Sequence, residues 1–187
     1  MANKPTQVTI GKNVRFCYLR VFDGETATDA KGEEYTKYSA CLIIPKTAEK
    51  SLARIDAAIK AAIQEGADKL KNPKTGKIPQ DIKTPLRDGD ISREDAPEFA
   101  NSYFINCSTR IRPTILDENG DEIIDKEDFY SGCYGCASIN FYAFNTEGNK
   151  GIACSLNALK KCADGERLAG DFDAEAAFSN EETDDLD

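Results

Sequence analysis

The chain has 187 residues, with 24 Lys and Arg against 33 Asp and Glu, seven Cys, no His, no Trp and a formal net charge of -9. This length suits one domain whose core needs no disulfide staples. The missing His excludes Ser-His-Asp and Cys-His nucleophile pairs, imidazole acid-base chemistry and His-containing zinc sites.

Taken whole, an acidic chain argues against nucleic acid as a partner, but the charge is unevenly placed. Residues 171–187 hold eight acids and no Lys or Arg. Removing those eight from the 33 leaves 25 acids against 24 basic residues, and residues 1–115 carry 19 basic and 15 acidic ones. A locally positive surface is therefore compatible with the total. Seven scattered Cys fit a reducing cytosol, residues 1–5 lack the apolar stretch of a secretory signal, and no apolar run reaches a bilayer-spanning length. The expected place is the cytoplasm.

In chain order, residues 14–22 and 35–44 are rich in aromatic and β-branched side chains and flank a polar stretch with Asp23-Gly24 and Lys31-Gly32. They predict a long β-hairpin. Pro45 ends its second strand, having no N–H for a ladder, and Thr47 is the expected cap of the helix that follows. Leu52, Ile55, Ile59 and Ile63 form one helical stripe ending near Gly66 or Lys71. Residues 72–97 hold four of the seven prolines, show no sustained period and predict a long surface insertion. Strand pattern returns over residues 101–116, broken by Pro113. Asp117 to Asp121 is a turn signal from which Ile123-Ile124 starts a return strand. Residues 138–145 and 151–156 flank another hairpin turn. Such a chain is mainly β with one principal α-helix, an OB-fold-like small β-barrel carrying a long loop insertion. From Gly170 onward, with Phe172, Phe178 and Leu186 as its only large apolar groups, it reads as a disordered acidic tail. The division is a domain over residues 1–170 and a tail over 171–187.

Alternation divides each strand into two faces. Tyr103, Ile105, Cys107, Thr109 and Ile111 form one core face, and Ile139, Phe141 and Ala143 another. The opposite faces mix Phe104, Tyr142 and Phe144 with Arg110, Arg112, Asn and Ser. In residues 14–22 the division is indecisive, Arg15, Cys17, Leu19 and Val21 against Phe16, Tyr18, Arg20 and Phe22. Flat aromatics interleaved with cations suit single-stranded nucleic acid, where bases stack on rings and Arg or Lys meets phosphates. On this reading Arg110 and Arg112 contact phosphates, Tyr142, Phe144, Phe104 and Tyr18 are stacking platforms, and Lys37 and Arg15 are cationic neighbours. The same rings also fit a face packed under the helix or loop, or a face that binds another protein.

Other motifs carry less. Cys133-Tyr134-Gly135-Cys136 lacks a second ligand pair for zinc and sits among strand-breaking glycines, so the expectation is structural thiols. Residues 71–77 lack the phosphate-loop pattern GxxxxGK[ST]. Asp117, Glu118 and Asp121 would be the carboxylates of a metal-dependent nuclease, but nothing in the sequence places them on one site. No catalytic residue, metal or cofactor is expected, and the chain reads as a binder rather than an enzyme.

The stretches Phe129-Tyr130-Ser131-Gly132-Cys133-Tyr134, Ala137 through Asn145 and Gly148-Asn149-Lys150-Gly151 through Asn157 resemble the signature region of a phage and prophage family of OB-fold single-stranded-DNA-binding proteins. Asn13-Val14-Arg15-Phe16 and the run from Tyr38-Ser39-Ala40 to Ile44-Pro45 match it as well. The resemblance implies a five-stranded barrel that binds single-stranded DNA without sequence preference during replication and recombination. It also implies a tail that competes for the DNA groove or recruits phage or host replication proteins. Phe178, Asp184, Asp185, Leu186 and Asp187 are the tail residues suited to such a partner. A homodimer is left open.

Overall fold

The computed structural model describes residues 4–168. Two long strands, β1 (Gln7–Thr28) and β2 (Glu34–Pro45), form the expected antiparallel hairpin, each reaching beyond the apolar segment that announced it. Helices α1 (Glu49–Glu65) and α2 (Ala67–Leu70) follow, then β3 (Leu86–Asp88), α3 (Gly89–Ser92), a 3-10 turn at Pro97–Phe99, β4 (Ser102–Thr109), β5 (Thr114–Leu116), β6 (Tyr134–Thr146) and β7 (Asn149–Ala163). The sheet runs β3-β4-β2-β1-β6-β7-β5, and an additional parallel pairing of β4 with β7 at Ser108 and Ser155 closes β4-β2-β1-β6-β7 into a barrel. This is the expected mainly β, OB-fold-like class. Closure also leaves no open edge among those five strands, the feature that otherwise makes a sheet prone to aggregation.

Alternation fills the interior. Leu42, Ile44, Ile105, Ile139, Phe141, Ala143 and Leu156 point inward, and the stripe of α1 closes one part of the core with Ile55, Ala58, Ile59 and Ala62. Leu52 and Ile63 are partly buried against the same cluster. In β1 the ambiguous division has a structural cause. The register advances from Cys17 opposite Cys41 to Arg20 opposite Ser39, so β1 carries an extra residue, and Tyr18 takes the left-handed φ of 48°. A bulge of this kind switches which residues face inward. Phe16 before it and Val21 after it, of opposite parity, both reach the core.

Four expectations are corrected. The helix cap is Ala48, without a side-chain hydrogen bond, while the Thr47 carbonyl accepts from the Glu49 amide, because the turn after Pro45 carries the chain one residue further. Residues 72–97 are not a featureless insertion: β3 pairs with β4, and α3 follows it directly. Their three- and four-residue elements are too short to show a period and depend on tertiary bonds. Asp88 accepts from the Asp90 amide, Asp90 accepts from Asn101, and Lys46 bridges both carboxylates at 2.9 and 2.8 Å. Ile111 is not core; the chain leaves the sheet after Thr109, and its side chain is 80% exposed. The return strand after the Asp117 turn is a single bridge between Leu116 and Glu122.

The β6–β7 hairpin turns on Glu147 and Gly148, both at positive φ, 52° and 88°. That two-residue geometry matches the twist of the flanking strands.

Candidate nucleic-acid interface

Pairing of β2 with β4 sets Ser39 opposite Ser108, Cys41 opposite Asn106 and Ile43 opposite Phe104 on the face turned away from the main core. An open groove of about 300 Å³ runs over this face, lined by Tyr18, Lys37, Ser39, Asn106 and Ser108 among others, none of them acidic among the described residues. Hydroxyl, amide and ammonium groups there can meet phosphates and base edges.

One wall is aromatic and cationic. The bulge at Tyr18 pushes its ring outward, 38% exposed, where it stacks on Phe99 with centroids 6.5 Å apart. Arg93 lies over both rings, 5.3 Å from Tyr18 and 4.7 Å from Phe99, and its guanidinium donates to the Tyr18 hydroxyl. Beneath this wall, Phe99 and Phe104 pack edge to face at 5.1 Å with Cys17, Cys41 and Ile43. Burial, then the neighbouring Cys17 and Cys107, push the Cys41 thiol well up, with Arg93 opposing. Cys41 therefore forms a neutral floor.

A second aromatic-cation group forms where β4 ends. The Arg110 guanidinium sits 3.9 Å from the centre of the Tyr35 ring, and Arg112 lies 5.9 Å from that of Phe22. Tyr142, 44% exposed on β6, belongs with the first of these. Its phenol pKa is raised, chiefly by partial burial and then by Cys154 and Tyr35, while Arg110 pulls it down. A ring already carrying a guanidinium on one face can offer the pair as a stacking surface, since Arg and aromatic planes both accept a base.

The predicted residues thus separate. Tyr18 and Lys37 line the groove, and Arg110, Arg112 and Tyr142 lie at or beyond its end. Phe104, assigned to the stacking face by alternation, is corrected: it does face that way, but it is 4% exposed because Phe99 covers it. Arg15 is occupied elsewhere, donating to the carbonyls of Gly132 (3.1 Å) and Glu166 (2.8 Å) and lying over Tyr134. Its role is to clasp the segment after β7 to the barrel. Phe144 is half-buried beside Gly151, where the Lys83 carbonyl leaves no room for a larger residue. Phe178, Asp184, Asp185, Leu186 and Asp187 lie outside the described residues.

Sequence reasoning missed Arg93, in the stretch read as aperiodic, and Phe99, between that stretch and the next strand pattern, and no local signal marks them. Tyr35 was legible as an aromatic in the second strand, but only its register places it under Arg110. The Cys133 and Cys136 thiols do not converge. Burial pushes Cys133 up to about 11, whereas Cys136 faces Cys162 across β6 and β7 with sulfurs 3.9 Å apart. Among the described residues no group of three or more His, Cys, Asp or Glu is placed to hold a metal. The Asp117 carboxylate accepts from the amides of Asn119 and Asp121, closing its own turn.

Residues 6–187 match the family model described as Enterobacter phage Enc34, ssDNA-binding protein. The chain is 32% identical over 180 residues to putative protein p50 of Acyrthosiphon pisum secondary endosymbiont phage 1, covering 93% of this chain and 91% of that protein. Its fold superposes on the C-terminally truncated single-stranded-DNA-binding protein of bacteriophage Enc34 with a TM-score of 0.64, at 23% identity over 88% of this chain and 90% of that one. On the same phage protein in complex with ssDNA the TM-score is 0.61, at 24% identity over 88% and 89%. With a closed five-stranded barrel, a polar groove walled by rings and guanidinium groups, and a family match along nearly its whole length, the chain belongs to the Enterobacter phage Enc34 ssDNA-binding protein family.

Proposed function

We propose that this protein binds single-stranded DNA without sequence preference, along the outer face of β2 and β4, and so protects and organises intermediates of phage replication and recombination. The observation that carries the reading is the groove itself. It has a neutral floor, hydroxyl and amide linings and a ring-guanidinium pair at Tyr18–Arg93 as one wall, with a second pair, Tyr35–Arg110, beyond its end. Bases stacking on rings supply sequence-tolerant affinity of about 1–3 kcal/mol each, and cations displace counterions from the phosphates. Nothing in this role requires bond-breaking, and the reading is of a binder without catalytic activity. The tail over residues 171–187 would compete for the same groove, its eight carboxylates imitating a phosphate track, or recruit replication proteins through Phe178 and Leu186.

The test is a titration of the full-length protein with a labelled oligothymidylate, monitored by anisotropy at several salt concentrations. Expected is preference for single over double strands, with log K falling against log salt at a slope of about -0.7 per neutralised phosphate. Equal affinity for duplex, or no salt dependence, refutes the proposal.

A further inference from the structure

Ile111 is the most exposed of the large apolar side chains in the described residues, at 80%. A lone exposed isoleucine is ordinary on a protein surface; its setting is not. The residues on either side, Arg110 and Arg112, each hold a guanidinium over a ring of the β1–β2 hairpin, Tyr35 and Phe22. Before them, the Ile111 amide donates to Thr109 Oγ1 at 3.1 Å, in the last residue of β4 paired to β2. After them, Thr114 begins β5, which pairs with β7. Four residues are thus tied at both ends and along both flanks, and between two exposed arginines they present to solvent a β-branched side chain with restricted χ1 freedom.

We propose that Ile111 is a wedge that inserts between two neighbouring bases of a bound single strand while Arg110 and Arg112 meet the phosphates on either side. This rests on the single-stranded-DNA reading above and adds a residue to its site. The spacing is compatible. Alternate residues of an open chain lie up to roughly 7 Å apart, and inserting one side chain between stacked bases opens their roughly 3.4 Å rise to about the same distance. Apolar side chains of this size are known to part base steps, and the transfer removes from water an apolar surface that the fold leaves uncovered.

The chain contains no Trp, so Ile111→Trp installs a single fluorescent reporter at an exposed position where folding is not at stake. Expected is quenching of that indole at saturation with oligothymidylate, and none at saturation with an oligomer of abasic nucleotides, which keeps the phosphates and lacks the bases. Independently, Ile111→Ala should weaken oligothymidylate binding roughly 5- to 10-fold, leave the salt slope unchanged because no phosphate contact is lost, and have no effect on the abasic strand. If the parent protein binds but the indole is not quenched, or Ile111→Ala binds with parental affinity, the wedge is refuted and the binding function stands. If the parent protein does not bind oligothymidylate, both fall together.

Discussion

Arg110 and Arg15 both place a guanidinium against an aromatic ring, yet their surroundings assign them opposite duties. Arg110 is exposed and stacks on Tyr35 beyond the end of the groove, while Arg15 is half-buried and spends its donors on two backbone carbonyls. Arg110→Ala is expected to weaken oligonucleotide binding roughly tenfold and make the salt slope shallower by about 0.7. Arg15→Ala should leave affinity within about twofold and lower stability by about 1–3 kcal/mol, the cost of orphaned carbonyls and a lost cation–π contact. Parallel anisotropy and urea titrations of the two variants distinguish these duties. Phe104 offers the same lesson for aromatics. Buried under Phe99, it should respond to Phe104→Ala with a loss of about 3–5 kcal/mol in a denaturant melt, the response of a core ring. Tyr18, by contrast, is open to a partner.

At the scale of elements, alternation and helical periodicity made the two hairpins and α1 legible, because each repeats its pattern over several turns or pleats. They failed where a bulge interrupts the count at Tyr18 and where β3 and α3 consist of three and four residues. That region is held by charge. Asp90 is kept below the ordinary carboxyl value of 3.8 by its bond from Lys46 and then by the Asn101 amide, and Lys46 is raised in turn by its bonds to Asp90 and then Asp88. A carboxyl depressed in the folded state stabilises above its unfolded pKa, and that contribution disappears as pH falls through the folded value. The segment joining β3 to β4 should therefore loosen below about pH 4. Hydrogen exchange of the residues 86–101 backbone at pH 3 and pH 6 checks this, with Asp90→Asn showing the low-pH behaviour at both values.

At the scale of the whole molecule, the net charge of -9 describes two parts with different chemistry. Residues 1–170 are near neutral and present the groove; residues 171–187 carry eight acids. If the tail competes for the DNA site, ending the chain at residue 170 should tighten binding several-fold at low salt, with the difference shrinking as salt screens the tail. Anisotropy of the full and shortened chains at two ionic strengths measures it; identical affinities at low salt would leave partner recruitment as the tail's only proposed role.

Sequence alone determined the class of the barrel, its principal helix, the inward residues Ile105 and Cys107 of β4 and Ile139, Phe141 and Ala143 of β6, and the faces that alternate with them, because these depend on periods of two and 3.6 that every residue in a long element repeats. It also brought forward the pairing of flat rings with arginines. Tertiary structure alone decided which of those rings remain open. Arg93 from the aperiodic segment and Phe99 from the 3-10 turn after it arrive to flank Tyr18 and cover Phe104, the end of strand pairing releases Ile111 from the core, and Arg15 is drawn to carbonyls more than a hundred residues away. Exposure is a property of what packs on top of a side chain, and in a closed barrel that neighbour comes from distant sequence.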